Sequence, residues 1–305
     1  MSDLPGAYGH ADYAASLVHV GQPVELKEAG GWLISRDLEG ASDLAAPYPL
    51  LCCRNLSALE SDLFSLSESH VSVTAVIDPM AEPMVETNEQ ALRSAFVDRV
   101  VRYKEHFVVD LEPPLETTIS GHHRRKTRRG GKRVRVQRSD MPAEWLTEFN
   151  DLYGMLIEHH GIRGAAAFGR ESLSLQLGLP GTRAYLATIE DRPVSMTVWY
   201  LRGNGASYHL GATSPEGYLA SASYALFARV LADLKDEGAS WAHLGAGAGA
   251  HGDATDGLTA FKKGWSTHTR TAYLCGRILQ PETYAELCRK AGVPEDGAFF
   301  PAYRT

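Results

Sequence analysis

The sequence predicts an α/β protein built from two related halves, each with a mixed, largely antiparallel sheet flanked by helices. Apolar residues at strand spacing alternate with segments at helical spacing along the whole chain. Helices, antiparallel strands, a long helix and a further strand follow one another in the second half, and more roughly in the first. The 305 residues, 44% of them apolar, suffice for two ordinary domains. We expect these domains at residues 1–139 and 140–305, the first ending in a basic crossover segment.

In the first half, the stretch "PVELKEAGGWLISRDL" predicts two strands joined at Gly30-Gly31, where a tight turn needs permissive residues. An amphipathic helix over "SALESDLFSLSES" and a β-branched strand that stops at Pro79 come next. A further helix and the alternating strand "RVVRYKEHFVVDL" lead to the basic segment. Its helix is expected to end at Gly130-Gly131, before the strand "KRVRVQR" with valines inward and arginines outward.

In the second half, Pro142 at a first turn and Gly161 at an end bound a predicted helix. A second helix and three strands follow, the strands separated by Asp191-Arg192 and by a glycine-rich turn. One long helix, "YLASASYALFARVLADLKDEG", then precedes the strand "SWAHLGA". A glycine-rich loop, a short helix, the strand "TRTAYLCGRIL" and a last helix complete the half.

Positive charge is concentrated in the stretch "GHHRRKTRRGGKRVRVQR", which holds nine arginines and lysines and no acid. The whole chain has a formal charge of −7; without these nine residues it would carry 21 positive and 37 negative side chains, a charge of −16. An acidic body repels polyanions, so a basic strip on it predicts directed docking of phosphates, as in RNA, a nucleotide or a cofactor pyrophosphate. The alternative is a solvated helix face followed by a charged strand.

Composition argues against several classes of protein. No apolar run reaches the roughly 20 residues of a membrane helix, and the N-terminus lacks the pattern of a signal peptide. We therefore expect a cytoplasmic protein without a membrane partner. The four cysteines form no CxxC pair, which favours free buried thiols, and no HExxH or DxD pattern indicates a metal. No GxSxG motif supports a serine nucleophile, and no cofactor is expected.

The loop "GAGAHG" satisfies GxGxxG after a strand, yet a dinucleotide site also needs an acid about 20 residues later. No acid occurs between Gly257 and Pro281, which disfavours that site. The loop is then either an ordinary surface loop or one that closes over a substrate with His251 and Asp253. His209, beside Tyr208, alternates along its strand and is either a core histidine or a catalytic base.

The second half has the order of elements of the GNAT fold, and the chain resembles the FemAB-like branch of that superfamily, in its compact, arm-less form. The resemblance runs from "GGWLISRDL" to "TAYLCGRIL". It depends on "YKEHFVVDLEPPLETTISGHHRRKTRRGGKRVRVQR", on "YHLGATSPEGYLASASYALFARVLADLKDEGASWAHLGAG" and on "DGLTAFKKGWS". The last stretch has Trp265 where the family usually has phenylalanine. The long helical-hairpin arm of some cell-wall members is absent from this sequence.

The resemblance implies a non-ribosomal peptidyltransferase that takes a small amino acid, such as alanine, glycine or serine, from aminoacyl-tRNA. The acceptor would be a free amine of a peptide or natural-product intermediate, as in antibiotic biosynthesis. Lys262 is the first choice and Lys263 the second for stabilising the developing oxyanion. His209 could manage the proton, while Tyr208, His251 and Asp253 would position the amine. The tRNA phosphates would meet Arg124, Arg125, Lys126, Arg128, Arg129, Lys132 and Arg133, flanked by Arg135.

Two other functions stay open. The first is an acyl-CoA-dependent N-acyltransferase. The turn "ATSPEGYLASAS", where GNAT enzymes hold the CoA pyrophosphate, contains Glu216, a single glycine and no basic residue. We therefore expect no basic charge at that turn. The second is a catalytically inactive module that binds a nucleotide-linked ligand.

Overall fold

The computed structural model describes residues 6–81, 89–247 and 257–304, which form two compact units. The central unit is Lys104–Arg270. The terminal unit combines the described residues up to Tyr103 with those from Thr271 onward. These bounds differ from the predicted division at 139/140, because the basic segment and the strand before it belong to the central unit. The related lobes 1–139 and 140–305 stay a prediction.

Eleven α-helices, besides short 3-10 turns, occur in the part of the chain that the structure describes. In chain order they are α1 (Ala11–Ala15), α2 (Leu59–Ser65), α3 (Glu89–Ala95), α4 (Leu115–Thr118), α5 (Gly121–Gly130), α6 (Leu146–His160), α7 (Arg170–Leu177), α8 (Pro215–Ala220), α9 (Ala222–Asp236), α10 (Gly257–Trp265) and α11 (Pro281–Ala291).

The strands over the same residues are β1 (Gln22–Leu26), β2 (Gly31–Leu38), β3 (Ala41–Ala45), β4 (Ser72–Val76), β5 (Arg99–Asp110), β6 (Arg135–Ser139), β7 (Thr182–Ile189), β8 (Arg192–Arg202), β9 (Gly205–Thr213), β10 (Trp241–Gly245) and β11 (His268–Ile278). Strand β3 was not predicted.

The central unit contains a sheet in the order β5-β10-β9-β8-β7-β6. Its only parallel pair among the described strands is β9 with β10, and the other neighbours are antiparallel. One face packs on α9 and α10 through a core that includes Trp199, Phe227, Leu231 and Trp265. The valines of the basic segment, Val134 and Val136, pack against this core while Arg135 is exposed, as predicted.

The terminal unit contains strands in the order β1-β2-β3-β4-β11. Strands β3 and β4 are parallel, and the other pairs are antiparallel. Both units therefore have antiparallel strands, then a parallel pair joined through a helix, then one more antiparallel strand. Both sheets are mixed and largely antiparallel, which confirms the predicted fold class of two tandem GNAT-like lobes.

The carboxylate of Asp43 is fully buried in the terminal unit and is bound by two guanidinium groups. Arg36 donates to it from the neighbouring strand at 2.9 and 3.0 Å. Arg304 donates at 2.6 and 2.9 Å, and the hydroxyl of Tyr303 donates at 3.0 Å. The last described residues of the chain are thereby attached to β3. The four cysteines are buried free thiols, as expected.

Candidate functional site

The parallel strands β9 and β10 separate partway along their length in the central unit. Their pairing runs from Gly205 and Trp241 to Ser207 and His243, whereas β9 continues to Thr213. Ligands of α/β sheets commonly bind beyond the carboxyl ends of parallel strands. The gap that opens after Ser207 and His243 is therefore the candidate active site of this unit.

A β-bulge lies in β9 immediately after this point. Trp199 pairs with Tyr208 and Val198 with Leu210, so His209 is the extra residue. Bulges recur beside active sites because they change the direction in which a side chain points. Here Tyr208 packs toward Trp199 and Phe227, on the α9 side of the sheet.

Lys262 of α10 places its ammonium group at the gap. The side chain is only 6% exposed, and Nζ donates to the carbonyl oxygen of Ala246 at 2.6 Å. Nζ also lies 5.5 Å from the centroid of the Tyr208 ring. A cation over an aromatic face is attracted by the ring quadrupole. Lys262 therefore brings one positive charge between the end of β10 and the bulge of β9.

Lys263, the second predicted lysine, is exposed on the same helix. Phe261 and Trp265 flank the two lysines and pack into the aromatic core of the central unit. Their packing determines the rotation of α10, and it turns Lys262 inward and Lys263 outward. The structure thus brings Lys262 and Tyr208 together and leaves Lys263 apart.

His209 lies on the other side of the sheet, in an environment that keeps it uncharged. Its Nε2 is 3.0 Å from Oε1 of Gln176, and its ring stacks on Tyr200 at a centroid distance of 4.5 Å. Burial of the ring lowers the pKa of His209 to about 3. At neutral pH the Nε2–H group of the imidazole donates a hydrogen bond to Oε1 of Gln176. The role of His209 in proton transfer stays a prediction.

The basic helix α5 is attached to α10 by His123, which is buried. Nε2 of His123 donates to the carbonyl oxygen of Phe261 at 2.8 Å, and Nδ1 accepts from Oγ of Ser120 at 2.8 Å. Burial lowers the pKa of His123, which agrees with this neutral tautomer. Gly264 permits the approach, since a Cβ atom there would lie 1.9 Å from Cε1 of His123.

The same helix packs against the start of α9. A Cβ atom at Gly130 would lie 2.5 Å from the carbonyl oxygen of Ser221, so only glycine fits at this crossing. The basic helix is therefore held between α9 and the helix that carries Lys262. Sequence reasoning missed the contact between His123 and Gly264. The only signal for it was the glycine itself, a small residue inside a helix between Lys263 and Trp265.

The predicted phosphate-binding residues lie on the outer surface of this helix and just after it. Arg124, Arg125, Arg128, Arg129, Lys132 and Arg133 are exposed, and Lys126 is half-buried. Within the described residues, none of these side chains forms an ion pair with an acid. Arg124 instead donates to the carbonyl oxygens of Glu116 and Ile119, which stabilises the start of the helix.

Arg138, the last residue of the basic run, is neutralised by ion pairs. It binds Asp140 at 2.9 Å and also contacts Glu237, and the buried guanidinium of Arg183 contacts the same two acids at 2.7 Å. Arg138 therefore fastens β6 to the end of α9. The exposed positive charge is confined to the residues before it.

The turn between β9 and α9 departs from two of our expectations. The predicted long helix is divided at Ser221, whose φ of 65° separates α8 from α9. The turn also has basic charge beside it, which we predicted it would lack. Arg129 and Arg133 donate to the carbonyl oxygen of Leu219 at 3.1 and 3.3 Å. The charges come from a segment distant in sequence, which a reading of the turn alone could not show.

His251 and Asp253 lie outside the described residues, so their predicted roles stay predictions. Among the residues that are described, no group of three or more His, Cys, Asp or Glu side chains could hold a metal ion. None of the described helices is long and apolar enough to cross a bilayer.

Comparisons with known proteins agree with this architecture. Residues 116–262 match the acetyltransferase (GNAT) domain family. This range contains the basic helix, β9, β10 and Lys262. No curated protein sequence matches the chain.

Among solved structures, the crystal structure of FemX is similar, with a TM-score of 0.64 and 15% identity over 91% of this chain and 93% of FemX. The C-terminal domain of a putative lysylphosphatidylglycerol synthetase from Agrobacterium fabrum has a TM-score of 0.62 and 15% identity over 93% and 91%. L-PGS from Bacillus licheniformis has a TM-score of 0.58 and 16% identity over 87% and 86%. Residues 116–262 therefore contain a GNAT-type acetyltransferase domain, and the fold of the whole chain is similar to that of FemX.

Proposed function

We propose that the protein transfers a small amino acid, such as alanine, glycine or serine, from aminoacyl-tRNA to the free amine of a peptide or natural-product intermediate. The observation that carries this proposal is the exposed basic surface of α5, which is attached to the helix that bears Lys262. A polyanion bound along this surface would lie beside the gap where β9 and β10 separate. A tRNA donor also implies a cytoplasmic enzyme.

The reacting ester would lie in the gap between the strands. An amine attacks its carbonyl carbon, and negative charge develops on the carbonyl oxygen. The buried ammonium of Lys262 is a preorganised positive charge for that oxygen, since its surroundings already exclude most water. The ester is activated before it binds, so alignment of the two reactants supplies much of the remaining rate.

The fold is compatible with aminoacyl transfer. The Agrobacterium fabrum neighbour is named for a product that joins lysine to a phospholipid. That name describes the neighbour alone, and support for a tRNA donor comes from the charges of the present chain. The strongest of these is the run from Arg124 to Arg135, which forms no ion pair among the described residues.

An acyl-CoA-dependent N-acyltransferase is the second candidate. Arg129 and Arg133 bring two positive charges to the α8–α9 turn, where a GNAT enzyme would hold the CoA pyrophosphate. Both guanidinium groups already donate to Leu219 and leave further N–H groups for an anion.

The two candidates are separated by offering both donors. Purified protein is incubated with a test amine and either a pool of charged tRNAs or a pool of acyl-CoAs, and the product is analysed by mass spectrometry. We expect an aminoacyl adduct that ribonuclease treatment of the donor pool abolishes. An acyl adduct formed from CoA alone would replace the proposal by the second candidate.

A further inference from the structure

Two buried histidines lie at the base of the gap, on the face of the central sheet opposite Lys262. His106 of β5 is 6% exposed and His243 of β10 is 3% exposed. Their neighbours Phe107, Ala242 and Leu244 belong to the core on the α9 side. Because successive side chains of a strand point to opposite faces, the two imidazoles share the other face.

The two rings are joined by a hydrogen bond. Nδ1 of His106 lies 2.9 Å from Nε2 of His243, and the ring planes differ by 15°. His243 is also opposite Ser207 in the last paired position before β9 and β10 separate. Oγ of Ser207 is 3.5 Å from Nδ1 of His243. The pair therefore lies at the point where the sheet opens.

A histidine pair of this kind can take up and return one proton. One of the two facing nitrogens carries a hydrogen and the other accepts it, so two neutral arrangements of the pair exist. A proton added at an outer ring nitrogen that carries no hydrogen makes the shared hydrogen bond charge-assisted, which strengthens it. A second added proton is disfavoured by repulsion and burial. A proton taken up in this way belongs to the pair rather than to either ring alone.

We propose that the His106–His243 pair accepts the proton that the attacking amine loses during aminoacyl transfer. This inference rests on the proposed function. The nitrogen lone pair forms a bond to the ester carbonyl carbon, and the bond from that carbon to the ribose oxygen breaks. The proton from nitrogen passes to the pair and then to the ribose oxygen, so no net proton is gained or lost.

The arrangement of charges fits an approach of the two substrates from opposite faces. Because the pairing of β9 and β10 ends at Ser207 and His243, side chains on both faces of the sheet border the gap. Lys262 and the basic helix lie on the α9 side, which suits the anionic donor. The histidine pair lies on the other side, which suits the amine.

Titratable side chains also lie on the strands that carry or adjoin the pair. Lys104 precedes His106 by two residues on the same face of β5, and burial lowers its pKa. Glu105, between these two residues, points to the opposite face of the strand. His209 of β9 is neutral at pH 7. A nearby cation favours return of the proton, whereas a carboxylate favours its retention.

The test replaces each histidine separately, by His106→Gln and His243→Gln. His70→Gln is the control, since His70 is a buried histidine of the terminal unit with hydrogen bonds to Ser69 and Ser35. Transfer from alanyl-, glycyl- and seryl-tRNA is measured against pH with two amines. Glycinamide is the more basic of the two and needs help to lose its proton, whereas the weakly basic methoxyamine needs less.

We expect each pair variant to lower the rate with glycinamide by about 100-fold and the rate with methoxyamine much less. Added imidazole should restore part of the glycinamide rate, and His70→Gln should retain the unaltered rate. Equal losses with both amines and no rescue by imidazole would mean that the pair only supports the fold.

A readout that does not need activity separates this inference from the proposed function. NMR of protein labelled with ¹⁵N in histidine reports the tautomer and titration of each ring. We expect the His243→Gln change to shift the titration of His106. Independent titration of the two rings would overturn the inference. Absence of transfer by the unaltered protein, with either amine and every tRNA, would overturn the proposed function.

Discussion

At the scale of single residues, Lys262 is the side chain on which the chemistry depends most directly. Lys262→Met keeps the volume and removes the charge beside the gap. We expect kcat to fall by about 100- to 1000-fold, because an oxyanion in a buried site loses its stabilising charge. The comparison is Lys263→Met, which removes the exposed neighbouring charge and should have a much smaller effect. A larger loss for Lys263→Met would reverse the assignment of the two lysines.

Gly264 makes a prediction about stability. Gly264→Ala places a Cβ atom 1.9 Å from the His123 ring, so α5 must move or His123 must leave its pocket. We expect a loss of about 2 kcal/mol in the free energy of unfolding. The matched control is Gly154→Ala within α6, where a Cβ atom meets nothing within 4 Å. This control should be stabilising by about 0.5–1 kcal/mol in denaturant titrations. Equal effects of the two changes would contradict the packing described.

His209 makes a prediction about pH. Its pKa of about 3 in the folded chain is below the ordinary histidine value of 6.5, so the unfolded chain binds the proton more strongly. Stability from this group is complete above pH 6.5 and falls as the pH drops toward 3. Thermal unfolding from pH 7 to 4 should therefore show a shallower pH dependence in His209→Gln than in the unaltered protein. Parallel curves would mean that folding does not lower the pKa of His209.

At the scale of elements, α5 should determine the electrostatic part of RNA binding. Arg125 and Arg128 are exposed and make no ion pair within the described residues. Replacing both by alanine should weaken tRNA binding and lower the slope of log K against log salt by about 1.5. The control removes two exposed charges from α11, Arg289 and Lys290, and should leave the slope unchanged. An unchanged slope in the α5 variant would exclude this helix from the tRNA site.

The elements that could be predicted from the sequence are those whose local signals agree with their packing. Helix α6 ends at Gly161, which adopts the left-handed conformation expected of a C-cap glycine. The break between α8 and α9 was missed. Ser221 has a positive φ, a conformation that is predicted from glycine and not from serine. Strand β3 was missed because "ASDLA" lacks a β-branched or aromatic residue.

The candidate site also contains residues that could be predicted from the sequence and residues that could not. Lys262 and the basic helix were predicted from motifs that are continuous in sequence. The roles of Arg129 and Arg133 at the α8–α9 turn depend on a contact across more than eighty residues, and the sequence of the turn gives no sign of them. The His106–His243 pair is equally non-local, since its members lie on β5 and β10. Single histidines on strands are usually structural, and only the fold shows that these two meet.

At the scale of the whole molecule, the order of strands explains why the compact units differ from the predicted lobes. The last strand of the sheet in the central unit is β5, which comes before all other strands of that sheet in the sequence. The terminal unit ends its sheet with β11, which lies far from the rest of that unit in the chain. The central sheet therefore includes β5 and β6 from residues 1–139, and the terminal sheet includes β11 from residues 140–305.

This order makes a prediction about fragments. The piece 104–270 contains the part of β5 that pairs with β10, together with α5, whereas the piece 140–305 lacks both. We expect the first fragment to give dispersed amide signals in an NMR spectrum and the second to be unfolded, since its sheet would expose an unpaired β10. A well-dispersed spectrum for the second fragment would contradict the role assigned to β5.

The anchoring of Arg304 and Tyr303 on the buried Asp43 has a practical consequence for handling this protein. Displacing Tyr303 and Arg304 would uncover a carboxylate that is fully buried in the folded unit. Affinity handles and fluorescent reporters should therefore leave these two side chains in place. Loss of both side chains would leave the Asp43 carboxylate to Arg36 alone and lower the melting temperature.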